Sequence, residues 1–358
     1  MPGRLAKLRK LMESQATKLD ALLIESKENR YYMSGFSGSA GFLVIGQDYA
    51  YLITDFRYTE QATTQAPEFK VVQHGTPFVT TLIDVLAKAK VKRLGFEKAH
   101  LTYGRYEDLR AKLAPVELVP TENLVEDLRA IKDAGEVKLI KEASRIADKA
   151  FEVLLGRLKT RMTENDVVAE LEYQMRKLGA AGASFDIIAA SGQRSSLPHA
   201  EPTDRSIDFG DFLTIDFGAE YQGYRSDCTR TVVFGRVNKK QREIYDIVLR
   251  AQEAAIAAAK PGKLGKELDA VARKVIADAG YGANFGHGLG HGVGLAVHEA
   301  PNVGLAGDVP LKAGHVITIE PGIYLAGWGG VRIEDMGVLT AKGFDDFTTA
   351  PKQLITLE

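Results

Sequence analysis

"GDFLTIDFGAEYQG" (residues 210–223) and "GHVITIEPGIYLAG" (residues 314–327) align without a gap at an offset of 104. Gly210, Thr214, Ile215, Gly218 and Gly223 meet Gly314, Thr318, Ile319, Gly322 and Gly327, and Asp216 meets Glu320. Self-similarity of this kind marks a duplicated structural unit. Upstream of each copy lie two stretches with apolar residues at three- and four-residue intervals, 133–159 with 163–179 and 241–259 with 264–280, which read as helix pairs. Each half thus reads helix, helix, strand. That is the trace of an α+β unit repeated about a pseudo-two-fold axis, with one carboxylate per half facing its counterpart.

In "FLTIDF" side chains alternate, so Phe212, Thr214 and Asp216 share one face and Leu213, Ile215 and Phe217 the other. An ionised carboxylate on so apolar a strand requires a counter-charge. The segment "DFGAEYQGYRSDCTRTVVF" reads as a hairpin turning near Gln222 and Gly223, with Asp227 opening the returning strand. Read alone, Asp227 is also consistent with an exposed turn cap. The second half contains Glu320 and then "GWGGVRIEDMG", where Arg332 and Glu334, two apart on an expected strand, face the same way. Asp216, Asp227, Glu320 and Glu334, with a histidine from the glycine-rich "FGHGLGHGVGLAVHEAP" (285–301), form a mostly oxygen donor set. Two divalent ions bridged by carboxylates are the known use of such a set. Hard donors with one imidazole favour Mn²⁺, Co²⁺ or Fe²⁺, and affinity order does not exclude Zn²⁺.

Asp216, Asp227, His291, Glu320 and Glu334, carried by "GHGVGLAVHEAP", "TIEPGIY" and "VRIED", resemble the dinuclear-metal signature of the pita-bread metallopeptidases, the superfamily of methionine aminopeptidase, aminopeptidase P and prolidase. The resemblance spans roughly residues 130–358. "SGFSGSAG" (34–41) and "TDFRYTEQA" (54–62) resemble segments of aminopeptidase P, and Arg332 is the residue of the proline-specific branch. The resemblance implies an α/β creatinase-like N-terminal domain (1–128) before a pseudo-two-fold pita-bread catalytic domain (129–358). It implies cleavage of the Xaa-Pro bond at the N-terminus of short peptides by a hydroxide bridging two metal ions, Mn²⁺ first. Prolidase, restricted to Xaa-Pro dipeptides, is the alternative; a creatinase-like amidinohydrolase or a non-catalytic scaffold would lack the five intact ligand positions.

On this resemblance His291 is a metal ligand and Glu320 both ligand and proton acceptor. His199, from "SSLPHAEP", and His298 line the cleft as oxyanion or proton donors. His287 binds substrate or orients its neighbours, and Arg332 pairs with Glu334 or another ligand or meets a substrate carboxylate. A homodimer is implied.

The rest of the chain agrees with such a protein. Residues 1 to about 125 alternate strand-like runs ("LDALLIES", "AGFLVIG", "AYLIT", "FKVVQH", "RLGFE") with helix-like ones, as in an α/β domain. A boundary is expected near 125–132. At 358 residues two domains are the natural expectation, and 46 basic against 47 acidic residues give no electrostatic reason to expect nucleic acid or an anionic membrane as partner. The single cysteine, Cys228, excludes an intrachain disulfide and suits a reducing compartment. "MPGRLAKLRKLMESQ" reads as an amphipathic helix with no signal-peptide core, so a cytoplasmic location is expected.

Overall fold

Short aliphatic runs in the first third of the chain form one mixed sheet. The computed structural model describes residues 3–357, and the chain divides into two compact units, Met1–Arg129 and Ala130–Glu358. In the first, strands β1 (Ala21–Ile24), β2 (Phe42–Gly46), β3 (Ala50–Thr54), β4 (Lys70–Gln73), β5 (Arg93–Glu97) and β6 (Glu117–Thr121) lie in the order β4-β3-β2-β1-β5-β6. β1 pairs antiparallel with β2 and parallel with β5. Five strands coincide with the runs read from sequence. β6 escapes a pattern reading because Pro120 interrupts it, and as an edge strand it tolerates the missing N–H. Helices α1 (Arg4–Glu13), α2 (Lys27–Ser34), α3 (Thr59–Gln65), α4 (Phe78–Lys88), α5 (Tyr103–Leu113) and α6 (Glu126–Ala130) connect the strands or flank the sheet. The expected N-terminal helix starts at Arg4; Met1 and Pro2 lie outside the described residues. Leu23, Val44, Leu82, Leu94 and Leu109 form part of this unit's core.

The second unit opens with two well-capped helices. α7 (Ala134–Leu155) is closed by an Asp133–Glu136 capping box, and α8 (Glu164–Lys177) by the expected Thr163–Asp166 box. Gly179, with φ 106°, stops α8. They are followed by β7 (Gly182–Ala183), β8 (Ile188–Ser191), β9 (Phe212–Phe217), a hairpin of β10 (Ala219–Tyr221) and β11 (Tyr224–Arg225), and β12 (Cys228–Phe234). The second half repeats the plan with α9 (Lys239–Ala258), α10 (Gly265–Asp278), β13 (Gly290–Gly292), β14 (Glu299–Val303), β15 (Val316–Ile319), the hairpin β16 (Gly322–Leu325) and β17 (Gly329–Arg332), β18 (Asp335–Thr340) and β19 (Gly343–Asp346). β20 (Thr356–Leu357) adds parallel to β12. β8-β9-β12 and β13-β15-β18 are equivalent antiparallel sets.

The repeat extends to backbone geometry. Gly210 and Gly314 both have φ 91°, and Gly223 and Gly327 have φ 80° and 74°, a left-handed region that strongly favours glycine. The face alternation of β9 follows the expected pattern: Leu213, Ile215 and Phe217 pack under α7 and α8, whereas Thr214 and Asp216 face the second half. Phe151 stacks on Phe217 with ring centroids 5.2 Å apart. No described helix is long and apolar enough to cross a membrane.

One expectation needs correction. Arg332 and Glu334 do not share a continuous strand: Arg332 ends β17, and Glu334 lies in the two-residue break before β18. Asp227 lies in the matching break between β11 and β12. Each break releases a carboxylate from the ladder and lets it turn toward the other half.

Because Phe151 is fully buried against Phe217, Phe151→Ala is expected to destabilise the second unit by about 3–5 kcal/mol. Chemical denaturation would measure this. A loss below about 1 kcal/mol would mean that the helix pair does not anchor β9 as described.

Candidate metal centre and substrate cleft

All nine residues singled out from sequence, His199, Asp216, Asp227, His287, His291, His298, Glu320, Arg332 and Glu334, line one cleft of about 520 Å³. Three strand systems deliver the four carboxylates and His291. β9 supplies Asp216, its partner strand β12 begins immediately after Asp227, and the equivalent pair β15 and β18 flanks Glu320 and Glu334. β13 brings in His291, where Gly290 lets the backbone approach β15: a Cβ there would meet the Thr318 carbonyl at 2.1 Å.

Asp227, His291 and Glu334 each offer a ligand atom within 4.8 Å of the others. His291 Nε2 lies 3.3 Å from Glu320 Oε1 and 3.6 Å from Asp227 Oδ2. Its Nδ1 lies 3.2 Å from the Gly292 carbonyl, and a proton donated there leaves Nε2 to share a second proton with Glu320 or, once that proton is lost, to offer its lone pair to a metal ion. Asp216 Oδ2 accepts from Arg332 Nη2 at 2.6 Å, whereas its Oδ1 is buried with no hydrogen-bond partner. Acceptors converge here without donors enough to satisfy them, and a divalent cation fits that deficit.

The electrostatics agree. Burial, reinforced by Glu334, Asp216 and Glu320, pushes the Asp227 carboxyl well above its ordinary range. Burial, with Glu320 and Asp216, does the same to Glu334. Asp216 is raised by burial, against the guanidinium of Arg332. For Glu320, burial is outweighed by the hydrogen bond and charge of His291, which hold its carboxyl at about 2. His291 is the mirror image: burial lowers its pKa, and Glu320 raises it by more. His298 is lowered by burial and by His291, whose ring it meets edge-on at 4.3 Å.

Several contributors had weak signals or none in the sequence. Tyr324 accepts a hydrogen bond from Arg332 Nη1 at 3.0 Å, and its hydroxyl is 2.9 Å from His287 Nε2. His287 Nδ1 lies 2.8 Å from the Gly288 carbonyl. Arg332 is thus committed to Asp216 and Tyr324 rather than to Glu334, and both ring nitrogens of His287 are engaged within the protein. Thr229, opposite Asp216 in the ladder, accepts from Arg332 Nε at 3.0 Å and donates to Glu334 Oε2 at 2.7 Å. Its place two residues after Asp227 was the available signal. Arg332 Nη1 also donates to the Pro198 carbonyl at 3.3 Å, anchoring the loop that carries His199. Buried Arg230 donates to the Glu334 carbonyl at 2.5 Å and to Asp335 Oδ1 at 2.7 Å, fixing the backbone behind Glu334. Phe185, Ile188 and Val297 supply apolar wall. Cys228 and Tyr224 are core residues, and Trp328 meets Phe212 edge-on with ring centroids 5.7 Å apart.

Protonation and metal binding therefore compete. Asp227 and Glu334 have raised pKa values in the native state, so the metal-free fold binds more protons than the unfolded chain and gains stability as pH falls through those values. Metal needs the ionised forms, so its stabilisation runs the other way. The stabilisation caused by Mn²⁺, read as the rise in melting temperature, should be larger at pH 8 than at pH 6, by up to about 1.4 kcal/mol of free energy per pH unit for each proton displaced. An increase that is greater at the lower pH would contradict the assignment. Asp227→Asn or Glu334→Gln should reduce bound metal as measured by elemental analysis, and unchanged content would remove that residue from the site.

Residues 138–341 match Metallopeptidase family M24, and residues 4–131 match the Creatinase/Prolidase N-terminal domain. The chain is 42% identical over 357 residues to a Xaa-Pro dipeptidase of Pyrococcus horikoshii, covering 98% of each. Among solved structures it is similar to a Xaa-Pro dipeptidase from Bacillus anthracis, with 44% identity, TM-score 0.96 and 99% of each chain covered. It is also similar to an X-Pro aminopeptidase from Thermotoga maritima, with 38% identity, TM-score 0.92, and 98% of this chain and 100% of that one covered. The duplicated catalytic unit, its converging carboxylates and imidazole, and these matches make the chain a member of metallopeptidase family M24 with a creatinase/prolidase-type N-terminal domain.

Proposed function

We propose that this protein hydrolyses the bond between a first residue and a following proline, using two divalent ions held by Asp216, Asp227, His291, Glu320 and Glu334. The convergence of these five side chains in one cleft, with Arg332 tied to Asp216, carries the reading. The names of the Pyrococcus and Bacillus relatives support Xaa-Pro dipeptides as the main substrates. Longer peptides are the second reading, supported by the aminopeptidase-like segments 34–41 and 54–62 and by the similarity to the Thermotoga enzyme. Hard donors with one imidazole favour Mn²⁺, ahead of Co²⁺, Fe²⁺ or Zn²⁺. A homodimer in a reducing cytoplasm is the state that the resemblance and the single cysteine support.

Bound ions of this kind activate water at neutral pH and polarise the scissile carbonyl. Glu320, whose carboxylate stands 3.3 Å from His291 Nε2 in the cleft, accepts the proton of the attacking water. His298, whose pKa is lowered by burial and by His291, is neutral there and presents an N–H donor to the developing oxyanion. His199 lines the same cleft and delivers a proton to the leaving nitrogen. A prolyl nitrogen has no amide hydrogen, so it must gain a proton to depart. The Tyr324 contact keeps His287 from turning its Nε2 to the substrate, so its part is to hold the Arg332–Asp216 pair in place.

Metal-stripped and Mn²⁺- or Co²⁺-reconstituted protein should be assayed on an Ala-Pro dipeptide, an Ala-Pro-Xaa tripeptide and a Met-Ala-Xaa peptide. Metal-dependent cleavage of the dipeptide is expected, and cleavage of the tripeptide as well would select the aminopeptidase reading. Failure on both proline substrates would overturn the proposal. His298→Ala should retain metal and lose about a hundredfold or more in kcat.

A further inference from the structure

We propose that the buried Lys132–Glu299 ion pair is a positioning device that sets where His298 stands in the cleft. The inference rests on the reading above, in which His298 acts on the substrate. His298 closes a tight turn, residues 293–298, and reaches into an open cleft. The aim of its ring therefore depends on how the turn backbone is held.

The first half of the turn is tied to neighbouring strands. Arg225 donates its N–H to the Gly294 carbonyl at 2.9 Å and its Nε to the Leu295 carbonyl at 3.2 Å, and Val293 N–H donates to the Val316 carbonyl at 3.1 Å. The second half is held by Glu299. Its Oε2 accepts the Ala296 N–H at 3.3 Å, and its Oε1 lies 2.7 Å from Lys132 Nζ. The carboxylate sits inside the turn, where a Cβ on Gly294 would stand 2.4 Å from Oε1, so glycine makes the room.

Lys132 is fixed in turn. Its side chain is 1% exposed, its Nζ donates to the Ala130 carbonyl at 3.3 Å, and its N–H donates to the Gly314 carbonyl at 2.9 Å, just before β15. His315 beside it is held at about 4 by burial, Lys132 and Lys312, and so is uncharged near neutrality. Glu299 is thus the negative partner that so buried an ammonium needs. The link runs from the turn before β15, through Lys132 and Glu299, to the residue adjoining Glu299 in the chain, His298.

Glu299→Gln keeps the shape and an acceptor for Ala296 but removes the charge, and K132M/E299M removes both charges. Metal content, melting temperature, and kcat and KM on Ala-Pro would be measured for both, with His298→Ala alongside. Both variants are expected to keep their metal, and the double variant to melt higher than Glu299→Gln. Both should lose between about tenfold and about a hundredfold in kcat with little change in KM.

Recovery of wild-type kcat together with stability in the double variant, or wild-type kcat in Glu299→Gln, would make the pair merely structural and overturn the inference. Loss of metal and fold in both would make it a folding element and overturn the inference as well. Full activity of His298→Ala would overturn the reading of His298 itself and the positioning role with it. An inactive His298→Ala beside a fully active Glu299→Gln would sink the positioning role alone.

Discussion

Four largely buried carboxylates gathered in one cleft, with one arginine and one imidazole among them, are the constraint on which the catalytic unit turns. Like charges so placed repel, and burial makes each costlier to ionise. The protein meets only part of that cost itself. Arg332 neutralises Asp216, His291 holds Glu320 ionised, and Thr229 donates to Glu334. Among the described residues the second oxygen of Asp216 has no hydrogen-bond partner, and Asp227 is crowded by Glu334, Asp216 and Glu320, so the remaining charge there calls for a cation.

The duplicated fold brings such a cluster together without strain in the strands. Each half contributes an antiparallel pair, and each pair breaks its ladder for two residues just where a carboxylate must leave it, at Asp227 and at Glu334. The halves are joined at that level by polar side chains rather than by a shared ladder. Thr231 Oγ1 donates to the Arg332 carbonyl at 3.0 Å, and Arg230 secures the carbonyl of Glu334. Apolar packing lies outside this seam, under α7 and α8 on one side and α9 and α10 on the other. Asp216 and His291 thus stand on strands and Asp227, Glu320 and Glu334 directly at strand ends, while His199, His287 and His298 ride on the connecting segments.

What could be read from sequence followed the periodicities. The offset repeat, the alternation of β9 and the Thr163–Asp166 capping box are consequences of local spacing, which a sequence displays, whereas the grouping of His199, His287, His291 and His298 with the carboxylates was legible only through the resemblance to the pita-bread metallopeptidases. The break before Glu334 was not visible, because "VRIED" alternates like an uninterrupted strand and only the tertiary pull toward the other half bends it. Tyr324 and Arg230 were missed for a related reason: their roles come from partners far along the chain, such as His287 for Tyr324 and Ala350 for Arg230. The apolar wall at Phe185 and Ile188 has no motif, since a loop followed by a short strand carries no period of its own.

The central claim is that the carboxylate cluster is the first coordination sphere of two divalent ions. Anomalous diffraction from crystals soaked in Mn²⁺ measures this directly. The account predicts two strong peaks in the cleft, together contacted by Asp216, Asp227, His291, Glu320 and Glu334, with Arg332 still on Asp216. Absence of any peak there in crystals whose protein shows Mn²⁺-dependent turnover, or peaks held by other side chains, would contradict it.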